Sequence, residues 1–371
     1  MAPRVVVFNN MITPYTNRLY NELVDRGLDL AVLSCTAQEA DRAWAGTFTP
    51  RYLTRTVSGV SIPLSRSRHT HLNIGIGRAL NALAPDLLFV NGLFPSMLAG
   101  AAWARANGKA LALTIDGWRE TMPDTAYHRL ARPWLLRQCA AVVCCSDKGR
   151  AYFRAEGVAD DDLFVVPLVP AWDPPPSVPC FHDRPFHLLW CARINDGAKN
   201  AIFFENVAIA LGRVLPGLKV RVVGSGAAEA RMLARLGDAG IDVSHDSHVP
   251  WQAISEVFLQ SRLLLLPSLL EPWGLVCNEA MQCGVPCLVS PHVGAGGELV
   301  RDRISGHVCA LDEREWVDTA RGLLEDPARW EVMSQQARKS VRREALADAA
   351  GRFKAAVDHL ARAPARREAV Q

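Results

Sequence analysis

Two glutamates, Glu271 and Glu279, bracket a segment that combines a loop, a helix start and a helix end. The apolar run at residues 263–266 predicts a strand, and the proline and glycine after Glu271 place that glutamate in a loop. A helix that begins near Leu275 would carry Glu279 in its early turns. The backbone N–H groups of such a helix start bind phosphate, and a carboxylate on either side can accept sugar hydroxyls. The segment therefore predicts a site for a nucleotide sugar.

Two cations follow another apolar run, which predicts a strand at residues 186–191. Arg193 and Lys199 come after it, and ligands of open α/β sheets bind at the carboxyl ends of the strands. Together they could neutralise a diphosphate, the arginine through its fork and the lysine as a point charge. A solvated arginine and a lysine that caps a helix are the alternative interpretation.

A glycine-containing turn, Gly224-Ser225-Gly226, separates a predicted strand at residues 219–223 from a helix. As a dinucleotide fingerprint it lacks the third glycine. It is equally consistent with one wall of a nucleotide pocket and with a plain turn between strand and helix.

The run E-P-W-G-L-V, followed by N-E-A-M and C-G-V-P, resembles the E-x7-E signature of the retaining GT-B glycosyltransferases of glycosyltransferase family 4 (group 1). The resemblance extends over residues 188–343 and more weakly through the N-terminal half. It implies an α/β fold of two Rossmann-like domains facing each other across a cleft, with a C-terminal helix that crosses back to the N-terminal domain. It also implies a retaining, metal-independent transfer from a nucleoside-diphosphate sugar, in polysaccharide or glycoconjugate biosynthesis.

The same resemblance implies roles for single residues. Glu271 would hold hydroxyls of the donor sugar beside the reacting carbon, and Glu279 would accept the ribose hydroxyls. The implied donor-binding residues are Arg193, Lys199, Gly224, Val249, Gly274, Leu275, Val276 and Glu279. A UDP- or GDP-sugar is the expected donor substrate, and neither a cofactor nor a metal is expected.

Asp116 marks a departure from the family. It follows the strand predicted at residues 110–115, where the family often has a histidine. We predict a catalytic role, in which the carboxylate binds a sugar hydroxyl or accepts the acceptor's proton. A turn residue before Gly117 is the alternative. A smaller departure is Ala192, which replaces the glycine before the family's arginine, and the spacing from arginine to lysine is one residue longer.

Strand and helix patterns alternate along the chain, which predicts parallel sheets covered by helices. The predicted strands of the first half are residues 4–8, 28–34, 86–90, 110–115, 140–145 and 163–166. Prolines crowd residues 167–185 and predict a linker. We therefore expect an acceptor-binding domain at residues 1–170, joined by a tail helix at 350–371, and a donor-binding domain at 171–349.

The bulk properties exclude several classes of protein. A formal net charge of +3 does not suggest nucleic-acid binding. No apolar run is long enough to span a bilayer, and no signal peptide is recognised, so we expect a cytoplasmic protein or one at the inner face of the membrane. The ten cysteines lie mostly in apolar runs, as core residues do.

The expected partners are a nucleotide sugar and a glycan, lipid-linked or small-molecule acceptor. Residues 128–139 mix arginines with tryptophan and leucines, which suits either a helix on an anionic bilayer or an ordinary surface helix. Three other functions stay open: a non-catalytic nucleotide-sugar-binding protein, an NAD-type oxidoreductase, and a sugar-nucleotide epimerase of the GT-B fold.

Overall fold

The computed structural model describes residues 3–38, 46–65, 68–342 and 346–362. The chain divides into two compact units. The first unit is Met1–Ala171 with Leu346–Gln371, and the second is Trp172–Ala345.

The first unit is built on a parallel sheet of seven strands, in the order β3-β2-β1-β6-β7-β8-β9, beside an antiparallel hairpin β4-β5. Its strands are β1 (Val5–Asn9), β2 (Leu30–Ser34), β3 (Leu53–Thr56), β4 (Gly59–Ser65), β5 (Arg68–Asn73), β6 (Leu87–Asn91), β7 (Ala110–Ile115), β8 (Ala141–Cys144) and β9 (Leu163–Val165). Its helices up to this point are α1 (Pro14–Asp25), α2 (Ile76–Leu83), α3 (Pro95–Ala106), α4 (Ala126–Gln138) and α5 (Asp147–Ala155).

Local chemistry explains where the first unit's elements begin. Every residue of β1 is buried, as expected for a strand covered by helices on both faces. The helix α1 starts at a reciprocal cap, in which the Thr13 hydroxyl accepts the Thr16 N–H and the Thr16 hydroxyl accepts the Thr13 N–H. Pro14 follows, where its fixed φ suits the first helical turn.

The second unit is built on a parallel sheet of six strands, in the order β12-β11-β10-β13-β14-β15. Its strands are β10 (Phe186–Cys191), β11 (Lys219–Val223), β12 (Asp242–Asp246), β13 (Ser261–Leu266), β14 (Cys287–Val289) and β15 (Gly306–Val308). Its helices are α6 (Ala201–Val214), α7 (Glu229–Asp238), α8 (Ile254–Leu259), α9 (Leu275–Gln282), α10 (Glu313–Leu324) and α11 (Pro327–Arg342). Its core is centred on the fully buried indoles of Trp190, Trp316 and Trp330.

The last helix, α12 (Leu346–Arg362), packs on the first unit although it follows the second unit in the chain. Phe353 stacks on Phe89 of β6 with ring centres 5.1 Å apart, and His359 Nε2 lies 3.0 Å from Asp162 Oδ1. The prediction that the C-terminal helix crosses back to the N-terminal domain is confirmed. The last part of the predicted tail helix, residues 363–371, lies outside the described residues.

No helix in the described part of the chain is both long and apolar enough to cross a membrane. Residues 128–138 of the segment 128–139 lie in α4, whose Leu135 is fully buried in the core of the first unit. Arg132 of the same helix is also buried, and it donates to the carbonyl oxygen of Pro123 at 2.7 Å.

Candidate functional site

The strand order of the second unit places the candidate site. The first strand of the unit, β10, lies in the interior of the sheet, with β11 on one side and β13 on the other. The chain therefore reverses its direction of winding between β10 and β13, and ligands of open α/β sheets bind outside the carboxyl ends of the strands at such a point. Arg193 and Lys199 follow β10, and Glu271 follows β13.

Lys199 and Glu271 form an ion pair between these two loops, Nζ to Oε2. The Glu271 side chain is only 11% exposed and that of Lys199 is 23% exposed, so the pair is partly shielded from water. Attraction between charges is stronger in such surroundings than on an open surface. The structure thus brings together the cation expected to bind phosphate and the carboxylate expected to hold sugar hydroxyls.

A set of hydrogen bonds fastens the loop that carries Lys199. The backbone N–H groups of Ala198 and Lys199 donate to Asn195 Oδ1 at 2.9 and 3.1 Å. The carbonyl oxygen of Ala198 in turn accepts the N–H of Leu269 at 2.8 Å. Asn195 therefore shapes the loop after β10, and the loop after β13 is tied to it two residues before Glu271.

The glycines of the turn after β11 allow a close approach to the loop that carries Arg193. A Cβ atom at Gly224 would lie 2.1 Å from the carbonyl oxygen of Ala192, and one at Gly226 would lie 2.2 Å from that of Ile194. Gly224 also has φ +133°, which side chains disfavour. The Ile194 N–H donates to the Ser225 carbonyl oxygen at 2.9 Å. Both glycines thus serve backbone packing that holds the residues on either side of Arg193.

Helix α9 begins directly after the loop of Glu271. Gly274 stands before its first turn with φ +96°, and a Cβ atom there would lie 3.1 Å from Val293 Cγ1. The Gly294 N–H donates to the carbonyl oxygen of Glu271 at 3.0 Å, which holds the loop against its neighbour. Leu275 and Val276 occupy the first turn, where backbone N–H groups lack intrahelical partners and the helix dipole favours an anion.

The C-terminal end of the same helix is held by a buried cation that the sequence did not reveal. Arg184 is fully buried, and it donates to the carbonyl oxygens of Cys283 at 2.8 Å, Ser261 at 2.9 Å and Phe258 at 3.1 Å. Burial lowers the pKa of this guanidinium to about 10. A positive charge at the end of α9 stabilises the helix dipole, so Arg184 positions the element that would hold phosphate at its other end.

Glu279 projects from α9 into surroundings that disfavour its charge. Burial raises the pKa of this half-buried carboxyl to about 8. Its neighbourhood includes Cys191, the last residue of β10, whose thiol pKa is raised by burial first and then by the charge of Glu279, and lowered by Lys199. Glu279 and Lys199 therefore both lie near the end of β10, on the same side of the sheet as Glu271.

Val249 belongs to the same edge of the sheet. It lies half-buried three residues after β12, and the Gly224 N–H donates to the carbonyl oxygen of Asp246 at the end of β12. The loops after β10, β11, β12 and β13 thus adjoin one another, and they carry all the predicted donor-binding residues that precede α9.

Asp116 is the one predicted site residue that belongs to the first unit. It follows β7 and is half-buried, and burial raises the pKa of its carboxyl to about 6. Two amides missed by the sequence reasoning, Asn9 and Asn91, end the neighbouring strands β1 and β6. Asn9 is 2% exposed and its side-chain amide donates to Tyr20 Oη at 2.9 Å. Polar residues that end buried strands were the signal that could have found them.

No group of three or more His, Cys, Asp or Glu side chains within the described ranges is placed to hold a metal ion. The charged residues predicted for the second unit's site are Arg193, Lys199, Glu271 and Glu279, and the structure pairs Lys199 with Glu271.

Two family models together cover most of the chain. Residues 193–340 match "Glycosyl transferases group 1", and residues 12–168 match "Glycosyl transferase 4-like domain". The chain belongs to the group 1 glycosyltransferases. The segment that matches the first model contains every donor-binding residue predicted for this glycosyltransferase. The segment that matches the second model contains Asp116.

Curated proteins that resemble this chain have names that describe sugar-transferring or related enzymes. The chain is 38% identical to N-acetyl-alpha-D-glucosaminyl L-malate synthase of Bacillus anthracis over 24% of this chain and 23% of that protein. It is 34% identical to D-inositol 3-phosphate glycosyltransferase of Mycolicibacterium paratuberculosis over 31% of this chain and 27% of that one. These matches thus span about a quarter of each curated relative.

Nearly the whole chain has the fold of a solved structure. HepE of Anabaena, solved with UDP and glucose, superposes with a TM-score of 0.72 over 96% of this chain and 99% of that one, at 14% identity. The predicted fold class, two Rossmann-like domains of the GT-B type, is confirmed.

Proposed function

We propose that this protein is a retaining, metal-independent glycosyltransferase that moves a sugar from a nucleoside-diphosphate sugar to a glycan, lipid-linked or small-molecule acceptor. The observation that carries the proposal is the Lys199–Glu271 ion pair at the point where the second sheet reverses its winding, beside the start of α9. A cation, a carboxylate and a helix N-terminus at one strand edge suit a ligand with both phosphates and hydroxyls.

The reaction breaks the bond between the anomeric carbon and a phosphate oxygen, and the electron pair leaves with the diphosphate. Arg193, Lys199 and the first turn of α9 would stabilise the negative charge that develops there. Glu271 would hold hydroxyls of the sugar while its anomeric carbon becomes positively charged. The protein's own cations thus supply the role that a metal ion has in other sites for diphosphate leaving groups.

The ion pair also suggests how the donor prepares its own site. A diphosphate competes with Glu271 for Lys199, because it carries more negative charge than one carboxylate. Once Lys199 turns to the phosphates, both oxygens of Glu271 can accept sugar hydroxyls. The glutamate is thereby held near its working position before the donor arrives.

The acceptor side of the proposal rests on the first unit. Asp116, with a pKa of about 6, is largely ionised at neutral pH and would bind a sugar hydroxyl or accept the acceptor's proton. The names of the relatives specify malate and inositol 3-phosphate, which supports a small-molecule acceptor. The UDP and glucose bound to HepE support a UDP-sugar donor.

A role in polysaccharide or glycoconjugate biosynthesis in the cytoplasm completes the proposal. Membrane contact through residues 128–139 stays a prediction, since Leu135 and Arg132 of that helix serve the interior of the first unit. The turn at Gly224 and Gly226 packs on backbone carbonyls, which accounts for its glycines without a dinucleotide.

The test is release of nucleoside diphosphate from a panel of UDP-, GDP- and ADP-sugars, with Glu271→Ala and Arg193→Ala variants. Arg213→Ala, an exposed arginine at the far end of α6, is the matched control. We expect slow hydrolysis of one donor, lowered about 100-fold or more by both site variants and unchanged in the control. Tight nucleotide binding without turnover, even with malate, inositol phosphate and glycan acceptors present, would instead indicate a binding protein.

A further inference from the structure

One stretch of the first unit combines an unusual charge with unusual exposure. Between residues 42 and 85 the sequence has no aspartate or glutamate, although the whole chain is almost balanced, with 41 Lys and Arg against 38 Asp and Glu. The stretch contains six arginines, Arg42, Arg51, Arg55, Arg66, Arg68 and Arg78, of which Arg51 pairs with Asp25, outside the stretch, at 2.7 Å. It also contains the hairpin β4-β5, which lies outside the seven-stranded sheet.

One face of this hairpin is anchored in the first unit. His71 of β5 is 1% exposed, its ring meets Phe94 edge-on at 6.0 Å, and its carbonyl oxygen accepts the Ser96 hydroxyl at 2.8 Å. The hairpin is therefore held against the start of α3 by the side that carries His71.

The opposite face is apolar and open to solvent. Val60 pairs with Leu72, and Ile62 pairs with Thr70, so all four have the opposite orientation to His71. Val60 is 60% exposed, Ile62 39% and Leu72 44%, and Ile74, just past the end of β5, is 76% exposed. We call Val60, Ile62, Leu72 and Ile74 the hairpin face. Contiguous exposed apolar surface of this kind marks an interaction site.

We propose that the hairpin face docks on an anionic lipid bilayer. The apolar side chains would enter the boundary between headgroups and acyl chains, and the exposed arginines that flank the hairpin in the chain would attract the negative headgroups. Arg55 on β3 and Arg78 on α2, both exposed, flank the hairpin in the chain.

The positive charge of the stretch favours an anionic bilayer over a second copy of the chain as the binding partner. A symmetric dimer through the hairpin face would bring two acid-free, arginine-rich stretches together, and like charges across an interface repel. Anionic headgroups offer the complementary charge and an apolar layer beneath it. The proposal is independent of the transferase activity, since it concerns a surface on the first unit alone.

The experiment is flotation of the full chain with vesicles of phosphatidylcholine and phosphatidylglycerol, against vesicles of phosphatidylcholine alone. Two variants test the surface, Val60→Ser/Ile62→Ser/Leu72→Ser and Arg55→Gln/Arg78→Gln. Leu130→Ser is the matched control, because Leu130 on α4 is also exposed, at 77%, and lies in the segment 128–139. Thermal unfolding and far-UV circular dichroism check that each variant is folded.

The wild-type chain should float with the anionic vesicles and not with the neutral ones, and 0.5 M salt should weaken binding. Loss of two arginines should lower partitioning about 25-fold, at roughly fivefold for each charge near the surface. The triple serine variant should lose at least as much, and Leu130→Ser should bind as the wild type does.

Three results would overturn the proposal. They are no binding of the wild type to anionic vesicles, equal binding by the folded arginine variant, and loss in Leu130→Ser with the triple variant unchanged. Sedimentation velocity supplies a further test, because a wild-type dimer that the triple serine variant abolishes would show that the face binds a second copy instead.

Discussion

The two parallel sheets reverse their winding in the same way but carry different chemistry at the point of reversal. In the second unit the loops after β10 and β13 carry Lys199 and Glu271 as an ion pair, and α9 begins beside them. In the first unit the neighbouring strands β1 and β6 end in Asn9 and Asn91, and Asp116 follows β7. One topology therefore supplies a place for a ligand twice, and the side chains at the strand ends decide which ligand each place suits.

The two units also differ in how closely the loop after their first strand approaches the loop after the neighbouring strand. In the first unit the N–H groups of Cys35 and Thr36 donate to the carbonyl oxygens of Asn9 and Asn10, both at 3.0 Å. In the second unit Gly224 lies so close to Ala192 that no side chain fits. The tighter contact holds the backbone around Arg193, which suits the proposed diphosphate site. Three variants test this comparison.

Gly224→Ala should have the largest effect, because its methyl group would lie 2.1 Å from the Ala192 carbonyl oxygen and the backbone would stay at φ +133°. We expect a loss of about 2–4 kcal/mol in the free energy of unfolding, together with weaker nucleotide binding. Gly237→Ala in α7, where nothing lies within 4 Å, should be neutral or stabilising. Urea unfolding and calorimetry with UDP measure both; equal behaviour of the two variants would show that the close contact does not shape the site.

Asp116→Asn should lower the rate of transfer about 10- to 100-fold while leaving the affinity for UDP within about twofold. The carboxylate form is the active one in either proposed role, so the wild-type rate should rise with pH through a midpoint near 6. The variant should lack that rise. Asp124→Asn, an exposed acid in the same unit, is the control. A variant that lost UDP affinity instead would place Asp116 in the donor site.

Of the three variants, Glu279→Gln should have the smallest effect on function. It should raise stability, whereas Gly224→Ala should lower it. Its folded pKa of about 8 is above the ordinary 4.5, so the native state binds more protons between these values and wild-type stability falls as pH rises through that window. The variant should therefore be more stable at pH 9 by about 1–3 kcal/mol, less than the full shift because the carboxyl is partly solvated, and equal below pH 4.5.

The same variant should bind UDP about tenfold less tightly at pH 9, since an amide is a weaker acceptor for ribose hydroxyls than a carboxylate. Wild-type affinity should increase as pH rises through 8. Thermal melts and UDP titrations at pH 4.5, 7 and 9 measure both effects. Stability that is unchanged at pH 9 would show that Glu279 is not held in surroundings that disfavour its charge.

Elements with strong local signals could be predicted from the sequence, and those without them were missed. The strands predicted at residues 110–115 and 186–191 have those bounds, because each is a continuous, mainly apolar run. The edge strands β3 and β12 were not predicted, since L-T-R-T and D-V-S-H-D have little apolar pattern. The tail helix predicted at residues 350–371 begins earlier, at Leu346, and it belongs to the first unit.

The sequence by itself determined the alternation of strands and helices, the turns at Gly224 and Gly274, and the family, because each depends on residue types at short spacing. Only the tertiary structure decided that Lys199 meets Glu271, 72 residues away in the chain, and that Arg184 holds the far end of α9. The burial that raises the pKa of Glu279 and the exposure of the hairpin face also depend on the tertiary structure. Pairing, desolvation and exposure depend on which segments pack together, and that is a property of the whole fold.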